Sequence, residues 1–313
     1  MTSDILPRSR LMLRPALLWL LGAILPVGCG ESDPQTRPAR SAERMPAFAP
    51  PTFEGGRRLD TIIAVDLDDD GRQEYVVGSI APQGMVPPEG RADRVEIYRL
   101  DTAQRRWRPV IRTELLWIAD WRLQELTGDR APELVLPIAS GGNQPVASDG
   151  MAIYSGHGGT IRSLWGSSEG APQIERTAEG EPYILTSETY LPDNLPHFLA
   201  VELPAAFITL RGGTPAPAEA IASAYFTTEG MRLLTEYEEI IGRFPGEEER
   251  GEGVVDEEAR SMLYAHVVRM ILLLDRAERT AELHAFWQRE EPRLRTLLLE
   301  EQMFLVEDLA EGS

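Results

Sequence analysis

The chain has 313 residues, 42% of them hydrophobic, and a formal charge of −19 at pH 7. That acidity excludes nucleic acid and anionic membrane surfaces as partners reached through charge. A single cysteine excludes an internal disulfide. All 31 basic residues are Arg, which excludes lysine Schiff-base chemistry and a phosphate-loop lysine.

Residues 1–28 read as a targeting segment. Arg8, Arg10 and Arg14 precede a ten-residue apolar run, Ala16–Leu25, too short to span a bilayer as a permanent helix. Pro26-Val27-Gly28 then leads into Cys29. The arrangement resembles a bacterial lipoprotein signal. That resemblance implies cleavage before Cys29, lipidation of Cys29 and anchoring on the extracytoplasmic side of a bacterial membrane. Gly30 after the Cys favours the outer membrane, with its face left open. Pro26 departs from the pattern, which usually carries Leu three places before the Cys. Ordinary secretion with a free Cys29 is the other reading. Removal of Arg8, Arg10 and Arg14 with Asp4 would leave the rest more acidic still, so the tether would be the lipid rather than a basic patch. Residues 29–56, rich in Pro, Arg, Ser and Ala, read as a disordered tether reaching roughly 80 Å.

From 57 to 213 short β-runs alternate with turn residues. The densest signal is Asp66-Leu67-Asp68-Asp69-Asp70-Gly71-Arg72-Gln73-Glu74, between Thr61–Val65 and Tyr75–Val77. So many carboxylates repel one another unless a cation or water screens them. Hard cations such as Ca²⁺ take oxygen ligands at alternate loop positions, with a Gly at the sharp turn. Shifted by 59 residues, the loop falls on Glu125-Leu126-Thr127-Gly128-Asp129-Arg130-Ala131-Pro132-Glu133. A fainter copy begins at Glu175 and places Tyr183 at the ninth position. A second echo follows each loop: Asp93–Tyr98 matches Asp149–Tyr154, with His197–Val201 as the expected third member. Self-similarity at a regular period marks a repeat architecture.

These loops and strands resemble the integrin-alpha-type FG-GAP repeat, also called the VCBS repeat, a family of four-stranded propeller blades with Ca²⁺ held in such a loop. The resemblance covers 57–213 and is specific at the first loop. It implies that Asp66, Asp68, Asp70 and Glu74 are side-chain ligands, that Arg72 offers its backbone carbonyl, and that the ion is structural. An EF-hand would need an acid at the twelfth position, where Val77 stands. A solvated acidic turn is the plain alternative. Closed propellers have 4–8 blades, so about three leave an incomplete ring. Its open edges would recruit a helical cover or a partner chain.

From 214 to 313 apolar residues recur at helical spacing in Ala218–Tyr225, Glu229–Gly242, Glu257–Leu274, Arg276–Arg289 and Arg293–Leu309. Thr227, Thr228 and Asp256 are candidate caps, and Pro245 and Pro292 candidate breaks. Ala224–Pro245 and Leu272–Pro292 loosely resemble tetratricopeptide units. A plain helical bundle on the β-region is the alternative.

An enzyme reading rests on Gly166-Ser167-Ser168-Glu169-Gly170, which matches a nucleophile elbow, with Asp193 and His197 as nominal partners of Ser168. The elbow needs a helix after the Ser, and Ala171-Pro172 breaks one. His157-Gly158-Gly159 is better read as a hairpin turn than as an oxyanion loop. His266 and His284 lack a second ligand at zinc spacing. Trp107, Trp117, Trp121 and Trp165 are expected between blades, and Trp287 at a helix interface.

The expected fold is α+β: about three propeller-like antiparallel β-repeats followed by an all-α C-terminal region. No catalytic residue and no small-molecule substrate are expected. The expected role is binding or scaffolding, with a protein partner, or a place as one subunit of a larger surface assembly.

Overall fold

The computed structural model describes residues 46–82, 92–115, 117–139, 146, 149–190, 200–242, 244 and 257–312. The signal segment, Cys29, Asp193, His197 and Asp256 lie outside the described residues, as does Pro245.

Three antiparallel sheets follow one another along the chain. The first contains β1 (Arg58–Val65), β2 (Glu74–Ile80), β3 (Arg94–Asp101) and β4 (Arg106–Glu114). In the second, the opening strand is broken into β5 (Trp117–Ile118) and β6 (Arg122–Gln124), both paired with β7 (Glu133–Ala139). Then come β8 (Asp149–Ser155) and β9 (Arg162–Ser167). The third contains β10 (Gln173–Arg176), β11 (Pro182–Tyr190), β12 (Val201–Thr209) and a two-residue β13 (Ala216–Pro217). Four helices complete the chain: α1 (Glu219–Ile241), α2 (Glu257–Arg276), α3 (Thr280–Leu297) and α4 (Glu300–Gly312). The fold is thus α+β with three sheets that do not close into a barrel, followed by helices.

Strand alternation explains how the sheets stack. Successive side chains on a strand point to opposite faces, so each central strand supplies both neighbours. Val76 and Ile97 of the first sheet meet Leu134, Leu136 and Tyr154 of the second. Val135 and Ile153, one residue out of phase on the same strands, meet Ile184 and Ile208 of the third. Close approach is helped by Gly78, where an added Cβ would sit 2.6 Å from the Trp121 ring. Trp121 and Trp165 pack between sheets as expected, but Trp107 lies on the outer face of the first sheet against Phe48 and Tyr75.

The two ends of this row are covered differently. On the far face of the third sheet, Phe207 packs on Tyr225 and Phe226 of α1, with ring centroids 5.1 and 5.4 Å apart. Val201 and Leu203 extend that sheet into the helical core. On the far face of the first sheet, Phe48 stacks on Tyr75 at 4.1 Å, and the Trp107 Nε1–H donates to the Pro46 carbonyl at 3.1 Å. The segment read as tether to residue 56 therefore joins the fold at Pro46, because Phe48 has an aromatic face to bury on. The helices were expected to cover open strand edges. They cover a sheet face instead, and among the described residues the outer strands of each sheet, β1, β6 and β10 included, keep one edge without a strand partner.

Four further expectations differ from the structure. Residues 219–241 form one helix with Thr227 and Thr228 inside it, since Gly230, Leu233, Tyr237 and Ile241 carry the buried stripe straight through. Pro292 lies inside α3, where the buried run Leu283, Phe286, Trp287, Glu290 and Leu294 continues past it. Packing there outweighs the lost N–H. The tetratricopeptide-like stretches consequently fold differently, one as a single helix and the other across the α2–α3 turn. Finally, the third member of the second echo ends at Ile208 rather than near Val201. Ile208 pairs with Ile184 as Tyr154 pairs with Leu134 and Tyr98 with Tyr75.

Candidate metal centre

The first acidic loop joins β1 to β2, and its own backbone folds it. The Asp66 carboxylate accepts from the N–H groups of Asp70 at 3.2 Å and Gly71 at 2.8 Å. Asp70 Oδ1 accepts from the Arg72 N–H at 2.9 Å. Glu74 turns inward and accepts from the Leu67 N–H at 3.0 Å. Short acidic side chains bonded to nearby amides favour such turns. Val77, which an EF-hand would need as an acid, is fully buried in β2.

This winding brings ligand atoms of Asp66, Asp68 and Glu74 within 4.8 Å of one another. Asp70 lies outside the trio, and the Arg72 N–H is bonded to Asp70 within the loop. The carboxyl group of Asp68 is buried, and its Oδ1 has no hydrogen-bond partner among the described residues. An orphaned buried carboxylate oxygen among hard oxygen donors fits a divalent cation such as Ca²⁺. Burial, and then the neighbouring Asp68 charge against the Leu67 N–H bond, pushes Glu74 up to about 7. Burial also raises Asp68, with Arg99 opposing it.

Arg99, at the end of β3, was not apparent as part of this site. Its Nη2 donates to Asp68 Oδ2 at 2.5 Å and to Asp70 Oδ2 at 2.9 Å, and its Nε lies 3.6 Å from Glu74 Oε1. The signal for it lay one residue beyond Tyr98, in the second echo.

The loop between β6 and β7 repeats the scaffold with other chemistry. Glu133 accepts from the Leu126 N–H at 2.7 Å, and Asp129 Oδ1 from the Ala131 N–H at 3.0 Å. These bonds match those of Glu74 and Asp70. Where the first loop has Asp68, the Thr127 hydroxyl lies within hydrogen-bond distance of Glu133 and Asp129, at 3.1 and 3.0 Å. Where β3 has Arg99, β8 has Ser155, whose hydroxyl donates to Glu133 at 2.9 Å. His157 Nδ1 lies 2.6 Å from Asp129 Oδ2. The third loop has Tyr183 at the ninth position, its side chain turned toward Phe207. Among the described residues the carboxylate trio occurs in the first loop alone.

Each loop also meets the next sheet. The Gly156 N–H donates to the Leu67 carbonyl at 3.2 Å, and a Cβ on Gly156 would lie 2.4 Å from that oxygen. One sheet further on, the Gly212 N–H donates to the Thr127 carbonyl at 2.9 Å. The His157-Gly158-Gly159 segment is thus a turn that docks on its neighbour. Ser168 follows β9 and precedes β10 with no helix after it, and Ser167 Oγ is taken up within the same bend. The chain matches no protein-family model, and no curated protein matches it in sequence.

Proposed function

We propose that the protein is a lipid-anchored extracytoplasmic binding or scaffolding module of the FG-GAP/VCBS-like type, stapled at its first sheet by Ca²⁺. The Asp66, Asp68 and Glu74 trio with the orphaned Asp68 oxygen carries this reading. When bound, the ion would neutralise these carboxylates and tie the β1–β2 hairpin to the loop. Extracellular Ca²⁺ modules bind at roughly 10⁻⁴–10⁻³ M, a range that millimolar surroundings fill. The test is calorimetric titration of the full chain with Ca²⁺. Saturable binding that Asp68→Asn abolishes supports the reading, and no heat at millimolar ion removes it.

A place in a larger assembly is the second reading. Leu59 and Ile62 on β1 and Leu123 on β6 are exposed large apolar residues on strands that keep an unpaired edge. Such edges favour strand addition by another chain. Light scattering of protein extracted in mild detergent distinguishes the two, since a scaffold in isolation has the monomer mass. Among the described residues no helix is long and apolar enough to cross a membrane.

A further inference from the structure

We propose that Arg99 is the built-in counter-ion of the first loop and competes with a divalent cation for it. Ion uptake is thereby coupled to the contact between the first and second sheets. The inference rests on the loop taking Ca²⁺, and the experiment below separates the two. Among the described residues Arg99 is the cation that reaches this loop, spanning Asp68, Asp70 and Glu74 at 2.5, 2.9 and 3.6 Å. One guanidinium charge faces four carboxylates, those three and Asp66, so the loop stays negative with Arg99 in place. The buried Asp68 side chain has one oxygen on Arg99, and its other oxygen has no hydrogen-bond partner among the described residues. That orphan is what a second cation would satisfy.

A divalent ion at the trio and a guanidinium on the same Asp68 repel at close range, and burial weakens the screening between them. The ion therefore loosens Arg99. The other hand of Arg99 holds the neighbouring sheet, since Nη1 donates to the Gly159 carbonyl at 3.0 Å. Gly159 belongs to the turn whose Gly156 docks on Leu67. Cation and sheet contact are thus linked through one side chain, and the linkage is reciprocal. The second loop supports this pairing of roles. There the buried Asp is replaced by Thr127 and the Arg by Ser155, so both charges are absent together.

The test is Ca²⁺ titration by calorimetry of the full-length protein, its Arg99→Gln variant and its Arg99→Lys variant. Arg99→Gln is expected to bind about tenfold tighter than wild type, within the usual range of coupling. Arg99→Lys keeps the charge and is expected to stay within threefold of wild type. A gain of threefold or less in Arg99→Gln overturns the competition and leaves the Ca²⁺ reading standing. Absence of binding in every form overturns both. Should Arg99→Gln fail to fold, the wild type decides by NMR: the Arg99 Nε–H resonance must shift and lose exchange protection at Ca²⁺ saturation. An unchanged resonance overturns the proposal.

Discussion

The first and second loops share a backbone course and satisfy their buried glutamate differently. In both, the closing Glu is buried and holds a backbone N–H seven residues before it. In the first, that Glu lies beside Asp66 and Asp68, with Arg99 Nε 3.6 Å from its Oε1. In the second, Thr127 and Ser155 give it two hydroxyl donors, so hydrogen bonds replace charge. One scaffold therefore accepts two ways of satisfying a buried carboxylate, and a change of two side chains, Asp68 against Thr127 and Arg99 against Ser155, separates them.

The sharpest way to break this comparison is Glu133→Ala. It removes the acceptor of Leu126, Thr127 and Ser155 and leaves buried donors unpaired. A loss of about 3 kcal/mol is expected, unchanged by Ca²⁺, in urea denaturation. A Ca²⁺-dependent loss would show that the second loop also uses an ion.

The first loop should respond to ion instead. At a hundredfold excess over the dissociation constant, Ca²⁺ is expected to add about 2.7 kcal/mol. Scanning calorimetry with and without chelator reads this as a shift in Tm, and an indifferent Tm removes the metal from the account.

Backbone strain offers a smaller effect of opposite sign. Gly71 has φ +80°, and Arg130 occupies the same place in the second loop at φ +78°. Such a conformation costs a side-chain-bearing residue about 1–2 kcal/mol. Arg130→Gly is expected to stabilise the protein by about 1 kcal/mol, reduced by the greater freedom of Gly in the unfolded chain. No gain in denaturation midpoint would mean that Arg130 makes up the cost elsewhere.

The smallest effect is at His157. Burial raises Asp129, but bonds from His157, Thr127 and the Ala131 N–H outweigh it and hold the carboxyl below its usual range. A depressed folded value means stability present above the unfolded value, 3.8, and lost as pH falls through the folded one. His157→Ala is expected to cost about 0.5–1 kcal/mol near neutral pH and nothing at pH 2. Equal costs at both pH values would exclude the His157–Asp129 bond as the cause.

The comparison also shows where the chain is legible. The first loop announces itself because its acids are adjacent in sequence, and the second because the same spacing recurs. Arg99 stayed hidden, since it reaches Asp68 across the sheet, and one-dimensional spacing carries no such distance. The third copy of the second echo was misplaced for a related reason. β11 and β12 run on past the blade to meet the helices at Tyr190 and Val201, so equal spacing fails there. Pro292 misled because intrinsic helix-breaking is a local cost, and the packing of Phe286, Trp287 and Leu294 outweighs it.

The sequence by itself determined the alternation of strand and turn, the three repeated hairpins, the helical C-terminus and the gathering of acids at residues 66–74. These follow from side-chain period and local turn chemistry, which act over a few residues. What the fold adds is that sheet faces, not edges, receive the helices and the Phe48 segment, and that an arginine from β3 pairs with the acidic loop. Those outcomes depend on which surfaces meet in space, where burial and charge pairing act between residues far apart along the chain.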